Sequence, residues 1–134
     1  MDSSYTSSIC PYCGVGCGLW ITVEDAAITG LEYMTDHPTN EGALCPKGNA
    51  CLDIVYHSDR LRYPLKGIDG GFERITWSEA LAMIASNFTR IRTEYGKNAL
   101  GFLASAKATN EDNYLFQKLA RILGTNNVDH CARL

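Results

Sequence analysis

Four cysteines constrain this chain more than any other feature of its sequence. Cys10, Cys13 and Cys17 follow one another at the spacing C-x2-C-x3-C, and Cys45 comes much later along the chain. Three thiolates on one tight loop with a distant fourth form the arrangement that an iron–sulfur cubane requires, because the three near ligands can wrap three irons. The spacing therefore predicts that these four cysteines bind a [4Fe–4S] cluster.

Small and stiff residues surround these cysteines. We expect Gly14, Gly16 and Gly18 to supply backbone freedom, because glycine adopts a positive φ without steric cost and lets backbone amides approach the sulfurs. Pro11 and Pro46 each follow a candidate ligand and stiffen the chain there.

A structural four-cysteine zinc site is the alternative to a cluster. Such sites usually contain two pairs of cysteines at C-x2-4-C spacing, whereas Cys45 has no cysteine two to four residues away, and Cys51 lies too far along the chain. We expect Cys51 to be a small buried side chain rather than a fifth ligand. We do not expect Cys131 to be a metal ligand.

Composition excludes several classes of protein. The net charge is −3 and the 12 lysines and arginines are scattered, so the sequence has no basic patch for nucleic acid. No run of apolar residues is long enough for a membrane span. Residues 1–8 are polar and contain no lysine or arginine, unlike a secretory signal. We therefore expect a cytoplasmic protein with reduced thiols, in which clustered cysteines hold metal rather than disulfides.

The pattern along the chain predicts two domains of an α/β (α+β overall) protein, residues 1–58 and residues 59–134. In the first, residues 19–23 and 27–34 should form a hairpin because β-branched and aromatic residues favour strands. Residues 48–56 should form a short helix, so that this domain is small and rich in β-structure.

The second domain has the rhythm of a parallel α/β sheet that is incomplete. We expect strands at residues 72–75 and 99–103. Thr76 and Glu79 match a capping box and predict a helix that Gly96 ends. A second helix should begin at Thr109 or Asn110. We expect packed faces that contain Leu81, Ile84, Ala85, Phe88 and Ile91 on the first helix and Leu115, Leu119 and Ile122 on the second, with Trp77, Phe88 and Phe116 in the core.

Several motifs taken in order resemble a known enzyme family. The segments CPYCGVGC at residues 10–17, GALCPKG at 42–48, TNE at 109–111 and GTNNVDHCAR at 124–133 carry the resemblance. The chain from Cys10 onward resembles the N-terminal part of molybdenum or tungsten bis-pterin oxidoreductases, and within them the catalytic (alpha) subunit of formate dehydrogenase.

The resemblance implies cofactors, partners and roles. The complete subunit would oxidise formate at a molybdenum or tungsten ion held by two molybdopterin guanine dinucleotides, and electrons would leave through the [4Fe–4S] cluster. Lys47 matches the lysine between cluster and pterin and would act as an electron relay. Ser105, Asn110 and Glu111 follow a predicted buried strand, so they could contact the pterin. The expected partners are the remainder of the catalytic subunit and an electron-accepting beta subunit or ferredoxin-type protein.

The resemblance also suggests where this chain ends. In formate dehydrogenases the segment resembling residues 128–134 runs into the metal-ligating cysteine or selenocysteine, so we expect a truncation just before that ligand. His130 and Arg133 would then lie near the active site. Alone, the chain should hold the cluster without oxidising formate. A stand-alone small [4Fe–4S] electron-transfer protein and a zinc-binding module remain the alternatives.

Overall fold

The computed structural model describes residues 4–131 and begins with a three-stranded antiparallel sheet. Its strands are β1 (Ser4–Ile9), β2 (Gly18–Glu24) and β3 (Ala27–Tyr33), in the order β1-β2-β3. The predicted hairpin of β2 and β3 is confirmed, whereas β1 was not predicted, because its serines and threonine show no apolar alternation. Asp25 and Ala26 form the β2–β3 turn with φ values of 48° and 61°.

Two short helices follow this sheet and complete its core. Helix α1 (Pro46–Asn49) and helix α2 (Cys51–Tyr56) occupy the region where a single helix was predicted. Cys51 is buried with Cys10 and Leu19, and the expectation of a small buried side chain at Cys51 is confirmed. This core therefore lies beside the predicted ligands, and the first cysteine belongs to it.

A separate hairpin connects the two halves of the chain. Strands β4 (Leu65–Ile68) and β5 (Gly71–Arg74) pair with each other antiparallel, and Gly70 at the turn has a φ of 81°. The interpretation of residues 72–75 as the first strand of the parallel sheet was wrong. Their backbone hydrogen bonds go to β4, a strand that the short sequence LKGI did not reveal.

Helix α3 (Trp77–Tyr95) begins at the predicted capping box. Thr76 Oγ1 accepts a hydrogen bond from Glu79 N at 3.2 Å, and Glu79 Oε2 accepts one from Thr76 N at 2.8 Å, so two backbone donors at the helix start are satisfied. Gly96 ends the helix with a φ of 84°. The predicted start and end of this helix are therefore confirmed.

A parallel pair of strands forms the last part of the fold. Strand β6 (Phe102–Ala104) pairs in parallel with β7 (Val128–His130), and helix α4 (Asn110–Leu123) is the connection between them. Gly124 ends α4 in the left-handed conformation. An antiparallel sheet followed by a parallel β–α–β unit confirms the predicted mixed α/β class.

The core of this last part is aromatic and lies under α3 and α4. The rings of Phe88 and Phe116 both meet Phe102 edge to face, with centroids 6.0 Å and 5.3 Å away. Leu100, Phe102 and Ala120 are buried there, with Phe88, Ile91, Phe116, Leu123 and Val128 half-buried around them.

Part of the predicted packing was wrong. Leu115 and Ile122 are 59% and 70% exposed, because α4 turns Phe116, Ala120 and Leu123 toward the core instead. On α3, Phe88 and Ile91 pack, while Leu81, Ile84 and Ala85 are exposed. Trp77 was expected in the core and is 65% exposed at the first turn of α3. Within residues 4–131, no helix combines the length and the apolar character that crossing a bilayer demands.

Candidate metal centre

The first three cysteines lie on the loop of the β1–β2 hairpin. Ile9 pairs with Gly18 at the end of the ladder, so Cys10 leaves β1 directly opposite the point where Cys17 enters β2. The backbone N–H of Cys10 donates to the carbonyl of Cys17 at 2.8 Å and closes the base of the loop. The sheet therefore brings together the two ends of the loop that carries these three thiols.

The glycines beside the cysteines differ in what they supply. Gly16 has a φ of 72° and matches the expectation of left-handed backbone. For Gly14 and Gly18 that expectation was wrong, since neither has a positive φ. They are needed for space: an added Cβ would collide with the Asn110 amide at Gly14 and with the His37 ring at Gly18.

A polar loop brings Cys45 to the hairpin. The half-buried Asn40 brackets Gly18, because its Oδ1 accepts from Gly18 N at 2.8 Å and its Nδ2 donates to Gly18 O and to Ala43 O, both at 3.1 Å. Nδ1 of His37 also accepts from Gly18 N, at 3.3 Å. These contacts hold the segment leading to Cys45 against the residue that follows Cys17.

Cys45 occupies the N-cap position of α1. The backbone N–H groups of Gly48 and Lys47 and the positive charge of Lys47 lower the pKa of the Cys45 thiol. A methyl group added at Gly48 would lie 3.7 Å from Cys10 Sγ, so α1 packs directly beside the first cysteine. The chain thus favours a thiolate at position 45, which is the form that binds metal.

All four cysteines line one cavity of about 460 Å³, together with Lys47. Burial, followed by electrostatic interaction with the neighbouring Cys10, Cys13 and Cys45, raises the pKa of the Cys17 thiol. The thiols surround the cavity rather than converge on one point: within the described range, no group of three or more His, Cys, Asp or Glu side chains is arranged to hold a metal ion.

The donor set and the cavity fit an iron–sulfur cluster. Four thiolates are the ligands that a [4Fe–4S] cluster takes, and a cavity of this size accommodates a multi-atom group. A single tetrahedral zinc ion needs four sulfurs each at about 2.3 Å from one point. Burial and the neighbouring Cys10 raise the pKa of Cys51, whose thiol packs in the core and does not line the cavity.

The second half of the chain closes one side of this cavity. Ala106 and Lys107, from the loop between β6 and α4, belong to its lining. In the same region the Asn110 Nδ2 donates to the carbonyl oxygen of Gly14 at 2.9 Å. The loop that carries Cys13 and the start of α4 are therefore in direct contact.

The other predicted site residues lie at the carboxyl edge of β6 and β7. Ser105 follows β6, and its Oγ accepts from Lys107 N at 3.0 Å. Glu111 lies in the first turn of α4. The backbone N–H of Ala106, the Ser105 hydroxyl and the charge of Lys107 lower the pKa of the exposed Cys131.

A second, wider cavity lies at the same edge. It has a volume of about 730 Å³ and is lined by Ser105 and His130 among others, but by neither Asn110 nor Glu111. Arg133, which was expected near the active site, lies outside the described residues.

Sequence reasoning did not anticipate the roles of Asn40 and His37 at the site. His37 is half-buried against Gly18. Asn40 follows a proline-containing loop, where an asparagine ordinarily serves its own turn. Nothing in the local pattern indicated that its amide would reach a residue 22 positions earlier.

Both parts of the chain match known protein domains. Residues 3–57 match the molybdopterin oxidoreductase Fe4S4 domain, and residues 60–134 match the molybdopterin oxidoreductase family. The chain belongs to the molybdopterin oxidoreductases, a family whose domains bind a [4Fe–4S] cluster and a molybdenum or tungsten pterin.

Within this family, the chain is similar to the alpha subunits of formate dehydrogenases. It is 48% identical over 135 aligned residues to the F420-dependent formate dehydrogenase subunit alpha of Methanocaldococcus jannaschii. It is 44% identical to the F420-dependent formate dehydrogenase 1 subunit alpha of Methanococcus maripaludis. Each alignment covers 100% of this chain but 19% of the relative, so the chain spans about one fifth of their length.

The fold has a counterpart among solved structures. Acetylene hydratase from Pelobacter acetylenicus superposes on 92% of this chain with a TM-score of 0.72 and 25% sequence identity, and the match covers 18% of that protein. The arrangement of an antiparallel sheet followed by a parallel unit is therefore also found in a solved structure.

Proposed function

We propose that Cys10, Cys13, Cys17 and Cys45 bind one [4Fe–4S] cluster. The observation that carries the proposal is the single cavity that these four thiols line, at the base of a hairpin already closed by backbone hydrogen bonds. The family match supports this proposal, because residues 3–57 match the molybdopterin oxidoreductase Fe4S4 domain. The β1–β2 hairpin would orient Cys10, Cys13 and Cys17, and the loop held by Asn40 would bring Cys45 to them.

Lys47 is proposed to act between the cluster and the pterin. It lines the cavity, and its charge acts on Cys45. A cation at this place favours the electron-rich state of an anionic neighbour and offers hydrogen-bond donors to a ligand on its other side. Lys47→Gln should lower the reduction potential of the cluster, whereas Lys47→Arg, which keeps the positive charge, should change that potential much less.

In the complete subunit, we propose that this chain is the iron–sulfur portion of a formate dehydrogenase. When bound, the cluster supplies a one-electron carrier, and the molybdenum or tungsten pterin supplies formate oxidation. The similarity to two formate dehydrogenase alpha subunits supports this substrate. Its partners would be the remainder of the catalytic subunit and an electron-accepting beta subunit or ferredoxin-type protein, in the cytoplasm. The 134-residue chain alone should not oxidise formate.

The proposed division of labour follows two domains, residues 1–58 and 59–134. The first provides the cluster ligands, and the second provides the edge of β6 and β7 toward the pterin. Ser105, Asn110 and Glu111 remain proposed pterin contacts. Support for them comes from their place after a parallel strand, the edge at which α/β folds bind ligands.

Metal content tests the central proposal directly. We would purify the chain anaerobically and measure iron, acid-labile sulfide, zinc and visible absorbance. Four irons and four sulfides per chain are expected. Cys45→Ser should remove most of the iron, because the loop contributes no other thiol to the cavity. Cys131→Ser is the matched control, since this exposed thiol is not part of the cavity lining and its loss should leave the iron content unchanged.

The alternatives give different results in the same measurement. A colourless chain with one zinc and no sulfide would establish a zinc-binding module and overturn the cluster. Formate oxidation by the purified chain, without any longer subunit, would overturn the proposed division of labour.

A further inference from the structure

One side-chain contact connects the ligand loop to the second half of the chain. Asn110 is the first residue of α4, and its Nδ2 donates to the Gly14 carbonyl at 2.9 Å across 96 residues of sequence. Gly14 immediately follows Cys13. The contact therefore fixes the backbone of the segment in which two predicted cluster ligands lie.

The Asn110 amide occupies the space that a side chain at position 14 would need. An added Cβ would collide with Asn110 Oδ1 and lie 3.2 Å from Asn110 Cγ, so the amide rests directly on the glycine. Gly14 has no positive φ, and its backbone conformation is open to other residues. Glycine at position 14 thus matches the side chain that approaches it, not a requirement of the turn.

Helix α4 does not need the Asn110 side chain for its own start. Thr109 is the N-cap, and its Oγ1 accepts from Asp112 N at 3.2 Å. Asn113 Nδ2 donates to Thr109 O at 3.1 Å within the same turn. Since Thr109 supplies the N-cap, the amide of Asn110 is available to contact the loop of another part of the fold.

We infer that Asn110 is a positioning residue for the cluster: it clamps the Cys13–Cys17 segment against the start of α4 and slows loss of iron from the site. Ala106 and Lys107 line the cavity from the same stretch of chain, so the clamp also keeps that side of the cavity covered. This inference rests on the proposed function, because it requires a cluster at the four cysteines. It is separate from any pterin contact by Asn110.

The experiment is a double-mutant cycle on the rate of cluster loss. The variants are Asn110→Ala, Gly14→Ala and the two together, each loaded anaerobically and exposed to the iron chelator EDTA. Bleaching of the visible absorbance gives the rate. The EPR spectrum of the reduced cluster reports the ligand geometry, and far-UV circular dichroism confirms that each variant is folded.

Asn110→Ala should accelerate bleaching about threefold to tenfold, the range that corresponds to one lost hydrogen bond. Gly14→Ala should also accelerate it, because the new methyl group displaces the amide. The double variant should match Asn110→Ala alone, since the space left by the amide accepts the methyl group. The EPR spectrum should change in Asn110→Ala.

Three further variants separate clamping from helix stability. Asn113→Ala removes the hydrogen bonds from Nδ2 to the carbonyls of Ala108 and Thr109 at the start of α4, and it should leave both the EPR spectrum and the bleaching rate unchanged. Asn110→Asp cannot donate to Gly14, yet an acidic residue in the first turn favours a helix. It should therefore bleach faster than the unsubstituted chain while α4 stays intact. Gly101→Ala, with open space around it and no positive φ, should have no effect.

The outcomes distinguish failure of the Asn110 clamp from failure of the proposed cluster binding. Bleaching of Asn110→Ala and Asn110→Asp at the original rate would overturn the clamp, as would purely additive effects of Gly14→Ala and Asn110→Ala. If the unsubstituted chain binds no iron and sulfide, the proposed function itself fails and the inference fails with it.

Discussion

Replacement of Asn40 by alanine should loosen the connection between Cys45 and the other three cysteines. The side chain makes three hydrogen bonds, two to Gly18 and one to Ala43. At about 0.5–1.5 kcal/mol each, their sum lies between about 1.5 and 4.5 kcal/mol. Asn40 is half-buried, so water replaces part of what is lost, and His37 still accepts from Gly18 N. We expect a loss of about 2 kcal/mol in the free energy of unfolding.

The assay is urea unfolding of the reduced, iron-free chain. Trp77→Phe leaves Trp20 in β2 as the single tryptophan, so its fluorescence reports on the sheet that Asn40 holds. The matched control is Asn87→Ala, which removes one exposed hydrogen bond from Nδ2 to Met83 O within α3. That control should change the stability of the sheet by less than about 0.5 kcal/mol.

The comparison between the two asparagine variants tests whether the Asn40 side chain holds the loop that leads to Cys45. Equal, small losses for Asn40→Ala and Asn87→Ala would show that the Asn40 contacts do not hold the loop. A change in the slope of the unfolding transition, with no change in midpoint, would also contradict the reasoning, because it reports on compactness rather than stability.

Three further predictions concern the second half of the chain. Phe102→Ala should destabilise this half by about 3–5 kcal/mol, because it removes a ring packed between two others. Phe72→Ala, at a side chain that is 75% exposed, should cost less than about 0.5 kcal/mol. Thermal unfolding of the two variants measures the difference. Thr125→Val should cost about 1–3 kcal/mol in urea unfolding, since the buried hydroxyl donates to a backbone carbonyl and accepts from a backbone N–H. The backbone N–H and hydroxyl of Thr76 hold the pKa of Glu79 below its ordinary value of 4.5. The ionised Glu79 carboxylate therefore stabilises the folded chain above pH 4.5, and this stabilisation is lost as the pH falls through the lower, folded-state pKa. Glu79→Gln should remove this part of the acid dependence of Tm.

The closeness of the first three cysteines and the ends of α3 could be predicted from the sequence, because each depends on neighbours in the chain. A capping box needs only Thr76 and Glu79, and three of the four thiols lie within eight residues. Strand β1 was missed for the opposite reason. Its polar residues become a strand because β2, which begins nine residues after it ends, offers a ladder of backbone partners.

The packed face of α4 shows a second limit. Leu115, Leu119 and Ile122 recur at helical spacing, and so do Phe116, Ala120 and Leu123. Periodicity cannot choose between two apolar stripes on one helix. The choice follows from Phe102 on the neighbouring strand, whose ring meets Phe116. Long-range contacts such as that from Asn110 to Gly14 leave even less trace in the sequence, because nothing local requires them.

The pairing of Ile9 with Gly18 sets the position of Cys10 relative to Cys17, and with it the geometry of the candidate metal site. A one-residue slip of β1 against β2 would reverse which face each side chain occupies and would carry Cys10 away from Cys17. One extra residue inserted between Ile9 and Cys10 should therefore abolish iron binding. An insertion of the same size at the exposed Asp25–Ala26 turn, at the opposite end of β2, should be tolerated. We therefore expect this sheet to accept new sequence at the β2–β3 turn but not beside the cysteines.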